Sequence, residues 1–365
     1  MPDAQRAASI FFSFLAFGSR AFGGPVAQIA DLERDFVEGR GWVERDRFRR
    51  ALAVYQLLPG PEAHEMCCYL GAVRGGPLGA IAAGLGFMLP GLLLMLGACV
   101  LYGSIDLASP AALHALAAMQ LVAAALIVRA AWRLLAPILR WKETSARAPC
   151  VVAVAACALA IWWFAPEQAM PAAGAAVPRE TAAPLLFAHG FTAGIVTFGG
   201  AYTAIPYVAG VASGENGWMT QGAFLDGVAL ASVLPAPLVI FGTFVGYQGA
   251  GLIGALAFTA GIFLPAFAFT VFGFGAIERL VSWTPARRAL DIAGALAVGV
   301  MVGAAFHLVL DAATGWTKRA MPFDSMTPLL LAAFVYAVWV SKGRFAAPVI
   351  VIAAGAAGAI YGALR

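Results

Sequence analysis

Long apolar runs separated by short polar stretches dominate the chain. In the first half they extend roughly from Ala7 to Ala30, Ala51 to Val73, Leu78 to Tyr102, Ala111 to Ala131 and Cys150 to Phe164. In the second they extend from Leu185 to Ala212, Ala223 to Tyr247, Leu252 to Ala276, Ala289 to Leu310, Met326 to Val340 and Ala346 to Leu364. A bilayer crossing takes about 20 apolar residues, so these runs predict membrane helices, and the length leaves room for roughly ten segments and no sizeable soluble domain. Glycine and proline punctuate the runs instead of gathering in polar tracts, which excludes a disordered or collagen-like chain.

A repeat organises these segments. Phe22-Gly23-Gly24 recurs 176 residues later as Phe198-Gly199-Gly200, and at the same offset Trp42 matches Trp218, Phe48 matches Phe224, and Pro59 and Pro61 match Pro235 and Pro237. After one deleted residue, Gly71 pairs with Gly246, Gly76 with Gly251, Gly79 with Gly254 and Pro90 with Pro265. The predicted division is a first repeat over 1–165, a connecting loop over 166–183 and a second repeat over 184–365.

Composition and charge then set the topology. Of 365 residues, 62% are hydrophobic and only 12% charged, which excludes an ordinary soluble protein. The formal charge of +4 does not point to nucleic acid, because most Lys and Arg flank apolar segments and act as topology signals. Six arginines lie between Asp31 and Arg50, whereas the equivalent loop, Ala209 to Gly222, has neither Lys nor Arg. The two loops are therefore expected on opposite sides of the membrane. The expected fold is an all-α polytopic membrane protein with two inverted-topology repeats, whose broken or re-entrant helices meet at the bilayer midplane. Five cysteines without a CxxC pair imply neither a disulfide framework nor zinc.

The breaks carry the candidate chemistry. Pro59-Gly60-Pro61 and Pro235-Ala236-Pro237 remove backbone donors inside apolar segments, which a bilayer tolerates only where the loosened backbone is buried in protein or lines a cavity. The Phe-Gly-Gly triplets permit turns whose N–H groups converge on an anion, and a half-helix N-terminus adds partial positive charge. The same residues also suit helix ends and close helix packing. Arg20 stands inside an apolar segment and needs a partner: an anionic substrate, Glu62, Glu65 or a backbone carbonyl, unless it snorkels to the interface. Gln28 can donate its amide to an oxyanion, and Tyr202 is a weaker candidate in the second half. Glu62 is a candidate both for the substrate site and, with His64, Glu65 and Asp226, for proton coupling; structural pairing of the carboxylates with Arg20 or Arg74 is at least as good a reading, and Asp226 also suits a helix cap or an interface. His64-Glu65 and Cys68 lack a third ligand, so no metal or other cofactor is implied, and no GxSxG or P-loop signature supports an enzyme or an ATP-driven pump.

Taken together, the stretches Phe22 to Ala30, Leu57 to Ala63 with Gly71, Gly84 to Pro90, Thr197 to Tyr202 with Pro206, Gly217-Trp218, Phe224 to Leu230 and Phe244 to Tyr247 resemble the chromate ion transporter family in its long-chain, two-repeat form. The resemblance covers about residues 13 to 280. It implies a secondary transporter in the bacterial inner membrane that exports chromate, and oxyanions of sulfate-like shape, by alternating access. The partners implied are the small oxyanion and the lipid bilayer, with a homodimer left open. A transporter or channel for a different small anion is the alternative. Where the family's second Pro-x-Pro has a central glycine and a preceding acidic residue, this chain has Ala236 and Ser232.

Overall fold

A computed structural model describes residues 3–56, 58–140, 182–197, 204–215, 217–282, 327–341 and 345–364. Every regular element among them is helical. In chain order they are α1 (Asp3–Gly18), α2 (Gly24–Leu32) continued by a π-helical turn (Glu33–Glu38), α3 (Arg45–Tyr55), α4 (Glu62–Ser104) and α5 (Pro110–Arg140). The second half contributes α6 (Ala182–Ile195), α7 (Ala204–Gly210), α8 (Gln221–Val233), α9 (Phe241–Ser282), α10 (Thr327–Val340) and α11 (Ala346–Ala363).

The two longest helices are not rods. In α4 the backbone leaves helical geometry at Gly75 and at Gly76 (φ 59°, ψ −152°), and in α9 it does so at Ala250 and at Gly251 (φ 60°, ψ −146°). Residues with a Cβ do not adopt the latter conformation, so the glycines at this repeat position permit the chain to double back. His64 and Phe87 consequently lie with ring centroids 6.2 Å apart, and across the second hairpin the Thr243 hydroxyl meets that of Thr259 at 2.7 Å. Thr259 gives its own proton to the Ala255 carbonyl, so Thr243 is the donor between the arms.

Glycine sets how closely the arms approach. A Cβ at Gly71 would collide with the Gly79 carbonyl, and one at Gly246 with the Gly254 carbonyl. The same backbone-to-backbone packing fixes α1 and α6: Gly86 fits against the Phe11 carbonyl and the Leu15 amide, and its repeat mate Gly261 against the Phe187 carbonyl and the Phe191 amide. These contacts replace hydrophobic burial as the adhesive, because lipid tails offer apolar side chains as good an environment as the protein does.

The hairpins lie side by side and head to tail. His64 sits between Phe263 and Phe267 at 4.8 and 4.7 Å, and Tyr69, nearer the first turn, meets Phe274, farther from the second. At the other end, Tyr102 packs on Phe244 at 5.1 Å. Each turn therefore lies beside the far end of the other hairpin.

In both hairpins the first arm is short. Residues 62–74 span about 20 Å, against a hydrocarbon core of about 30 Å, whereas residues 77–104 exceed it. Among the described residues, three stretches are long and apolar enough to cross a membrane: Glu62–Ser104, Leu238–Ile277 and Ala346–Ala363. Their outward faces carry exposed Leu93, Leu94, Val100, Leu101, Ile253 and Phe272, an apolar surface that water would penalise and lipid does not. The segment predicted as one run from Ala7 to Ala30 is two helices separated by Ser19–Gly23. The chain reverses there, since Phe36 stacks back on Phe14 at 4.5 Å and Arg40 donates to Ser13.

Candidate functional site

Two contacts join helix breaks of one half to the other half. At Gly23 and Gly24 the backbone takes φ of 95° and 76°, as the Phe-Gly-Gly triplet predicts, and Pro25 opens α2. Gly60 (φ 155°) carries its N–H past Pro59 and donates it to the Thr197 carbonyl, 2.7 Å away, in the residue just before the second Phe-Gly-Gly. Pro61 then caps α4. On the other side of the contact, the buried Gln28 amide donates to the Ala21 carbonyl at 2.8 Å and to the Ala236 carbonyl at 2.9 Å. Both acceptors are carbonyls, so the nitrogen side of the amide faces them.

The repeat offset exposes the logic. Ala21 and Thr197 are equivalent positions, and so are Gly60 and Ala236. Each half's Pro-x-Pro thus touches the residue that precedes the other half's Phe-Gly-Gly, directly in one case and through Gln28 in the other. Ala236 is pressed against Gly91 of α4, which has no side chain to block it. Pro235 and Pro237 flank it, and the Pro237 carbonyl accepts from Ile240 to start a short 3₁₀ turn.

The site is chemically lopsided. Glu62, His64 and Glu65 open α4 and are all buried, whereas the equivalent positions of the second half are Leu238, Ile240 and Phe241. Gln56 hydrogen-bonds to Glu62. Both carboxyl oxygens of Glu65, Nε2 of His64 and Oε1 of Gln28 are buried with no hydrogen-bond partner. A Cβ on Gly60 would lie 2.5 Å from Glu65 Oε1, so this carboxyl is pressed against the Pro-Gly-Pro backbone. Among the described residues, no group of three or more His, Cys, Asp or Glu side chains converges as metal ligands would.

Several sequence expectations need correction. Arg20 pairs with neither Glu62 nor Glu65; it is exposed, lies outside the helices and donates to Asp35 at 2.9 Å, because the reversal after α1 brings the π-helical turn alongside. Arg74 does not pair with them either; its guanidinium lies 5.4 Å from the Trp42 ring beside the first hairpin turn. The Gln28 amide, expected to bind an oxyanion, has its donors engaged by the two carbonyls. Phe22 packs on Phe345 at 5.3 Å. Asp226 is no helix cap, a role taken by Thr220. It lies within α8 and accepts from the Tyr102 hydroxyl and the Gln120 amide, each at 2.8 Å, so it ties α4, α5 and α8 together. Phe198, Gly199, Gly200 and Tyr202 lie outside the described residues.

Asp226→Leu is therefore expected to lower thermal stability in detergent by about 1–3 kcal/mol for each donor left unsatisfied, and Asp226→Asn by less. A Leu variant as stable as the parent would show that the ties are dispensable. Sequence reasoning missed Ala21, Thr197, Tyr102 and Gln120. The first two act through backbone carbonyls, and only their constant offset from Ala236 and Gly60 could have marked them.

Helices broken at buried positions, meeting across two repeated halves and clothed outside in apolar side chains, define a membrane transport protein. Comparison with known proteins gives the particular kind: the family model "Chromate transporter" matches residues 8–177 and 185–359, and the chain belongs to that family. A chromate transport protein of Pseudomonas aeruginosa is 40% identical, over 98% of this chain and 93% of its own length. One from Cupriavidus metallidurans is 30% identical over 81% of this chain and 80% of its own. An uncharacterized transporter of Methanocaldococcus jannaschii is 25% identical over 89% of each. No solved structure matches.

Proposed function

We propose that this chain exports chromate, with sulfate-like oxyanions as competitors, from the cytoplasm across the bacterial inner membrane by alternating access. The names of the Pseudomonas and Cupriavidus relatives supply the substrate class. The observation that carries the mechanism is the crossed pairing of the breaks, Gly60 with Thr197 and Gln28 with Ala236. Such pairs lie where two rigid halves would have to part and re-form as access alternates. Head-to-tail hairpins and short first arms support an inverted-topology reading, with repeats at 1–165 and 184–365, a linker at 166–183, and re-entrant elements at both Phe-Gly-Gly and both Pro-x-Pro breaks.

In this reading the oxyanion is held by backbone N–H groups around Gly23 and Gly24 and around Phe198, Gly199, Gly200 and Tyr202, and by the N-terminus of α4 that follows Pro61, with Phe22, Pro59, Gly60, Pro235 and Pro237 shaping the wall. Arg20, exposed beside the first break, attracts the anion and exchanges Asp35 for it. Gln28 braces the site and is not a ligand. An ionised Glu62 or Glu65 repels a dianion, so these residues, with His64, belong to coupling; Asp226 is reassigned to the fold. Export of a dianion from an inside-negative cell releases about 4.6 kcal/mol per 100 mV, twice the single-charge value.

Uptake of labelled chromate into inside-out vesicles tests this reading. Saturable uptake, competed by sulfate and diminished when the membrane potential is collapsed, is the expected result; uptake that never saturates would indicate a channel. Gly60→Val forces a side chain onto the Glu65 carboxyl and is expected to reduce uptake at least tenfold at equal membrane insertion. Unchanged uptake would remove the Pro-Gly-Pro break from the site.

A further inference from the structure

Glu65 presents an unsolved solvation problem. It is fully buried, neither oxygen has a donor, and no Lys or Arg among the described residues pairs with it. The titratable groups facing it are Glu62, one turn back on the same helix, Cys68 on that helix, and Tyr55 of α3, with His64 its neighbour in the chain. α9 brings the Phe263 and Phe267 rings to His64 and Thr270 to Tyr55, to which it is hydrogen-bonded. Removing an ionised carboxylate from water without a donor or counter-ion costs far more than burying a neutral polar group, so the group must hold a cation or a proton. A metal cation needs several ligands, and among the described residues no group of three or more His, Cys, Asp or Glu side chains gathers here to supply them. A proton needs one.

We propose that Glu65 is the proton-binding site of this transporter and that its proton governs the Gly60–Thr197 link between the two halves. The carboxyl lies against the Cα of Gly60, one bond from the nitrogen whose N–H is given to Thr197. With its proton on, Glu65 makes no demand on that N–H and the link stands. When the proton leaves, the carboxylate requires donors, and the Gly60 N–H, one bond from the Cα it lies against, supplies one. Drawing it away releases Thr197 and, with it, the segment that enters the second Phe-Gly-Gly. Proton loss at one residue thus loosens a contact between the repeats. Because position 241 is phenylalanine, the second half has no counterpart of Glu65.

This inference rests on the transport reading, and its test separates the two. Infrared difference spectra of the full-length protein in nanodiscs, recorded across a pH change without chromate, are expected to contain the C=O stretch of a protonated carboxyl. That band should vanish in Glu65→Gln, move in Glu65→Asp and persist in Glu62→Gln. A band unchanged in Glu65→Gln, or unmoved in Glu65→Asp should the Gln variant not fold, overturns the assignment. In proteoliposomes, chromate accumulation with a pH gradient divided by that without it should be several-fold in the parent protein and fall to one in Glu65→Gln. A ratio equal to the parent's also overturns it. If the parent moves no chromate in either condition while the band behaves as expected, the proton site stands and the substrate reading falls.

Discussion

Leucine at Gly71 or at Gly246 is expected to eliminate folded protein from the membrane. At both positions the opposing arm presents a backbone carbonyl, from Gly79 or Gly254, where the new Cβ would have to lie. An overpacked core relaxes by moving side chains, at about 1–3 kcal/mol. Here the obstacle is backbone, so the arms must separate and lose the close van der Waals packing that glycines permit between helices in lipid. The measurement is the yield and melting temperature of the detergent-solubilised protein, with Gly97→Leu as control. Nothing lies within 4 Å of the Cβ position at Gly97, so that variant should match the parent. A Gly71→Leu protein melting with the parent would show that the hairpin crossing is looser than its geometry indicates.

Gln28→Leu is expected to reduce chromate uptake at least tenfold and to destabilise the protein as well. The substitution preserves bulk but leaves the Ala21 and Ala236 carbonyls buried without a donor, at about 1–3 kcal/mol each. The cost falls where the first Phe-Gly-Gly meets the second Pro-x-Pro, so the two halves lose their defined register. Gln28→Glu cannot repair this, because a carboxyl has at most one proton to donate and an ionised one repels both carbonyls. Parallel measurements of uptake at equal insertion and of melting temperature check the claim. Full uptake in Gln28→Leu would show that this contact does not take part in transport.

Much of the site was legible because helix breakers are conspicuous in apolar surroundings. Pro59, Gly60, Pro61, Gly23 and Gly24 stand out from sequence alone, and the structure puts them at backbone turns. Gly71, Gly76 and Gly79 were legible only as matches to Gly246, Gly251 and Gly254. That one glycine of each set turns the chain while the other two let the arms touch depends on the hairpin itself. Charged side chains were read least well. Arg20 is apolar-flanked in sequence, yet a reversal within the intervening residues brings Asp35 to it, and nothing in local composition encodes that meeting.

The linear chain determines the helical class, the duplication, the positions of the breaks and the charge asymmetry between equivalent loops. Each follows from residue chemistry or from the lipid solvent, both of which act locally. Tertiary structure alone decided which breaks meet. Hydrogen bonds from Gly60 to Thr197 and from Gln28 to Ala236 join residues more than a hundred positions apart, and their acceptors are carbonyls that every residue carries. Partnerships of that kind leave no mark on residue type, because the backbone supplies the acceptor and only the packing of the hairpins chooses which one is reached.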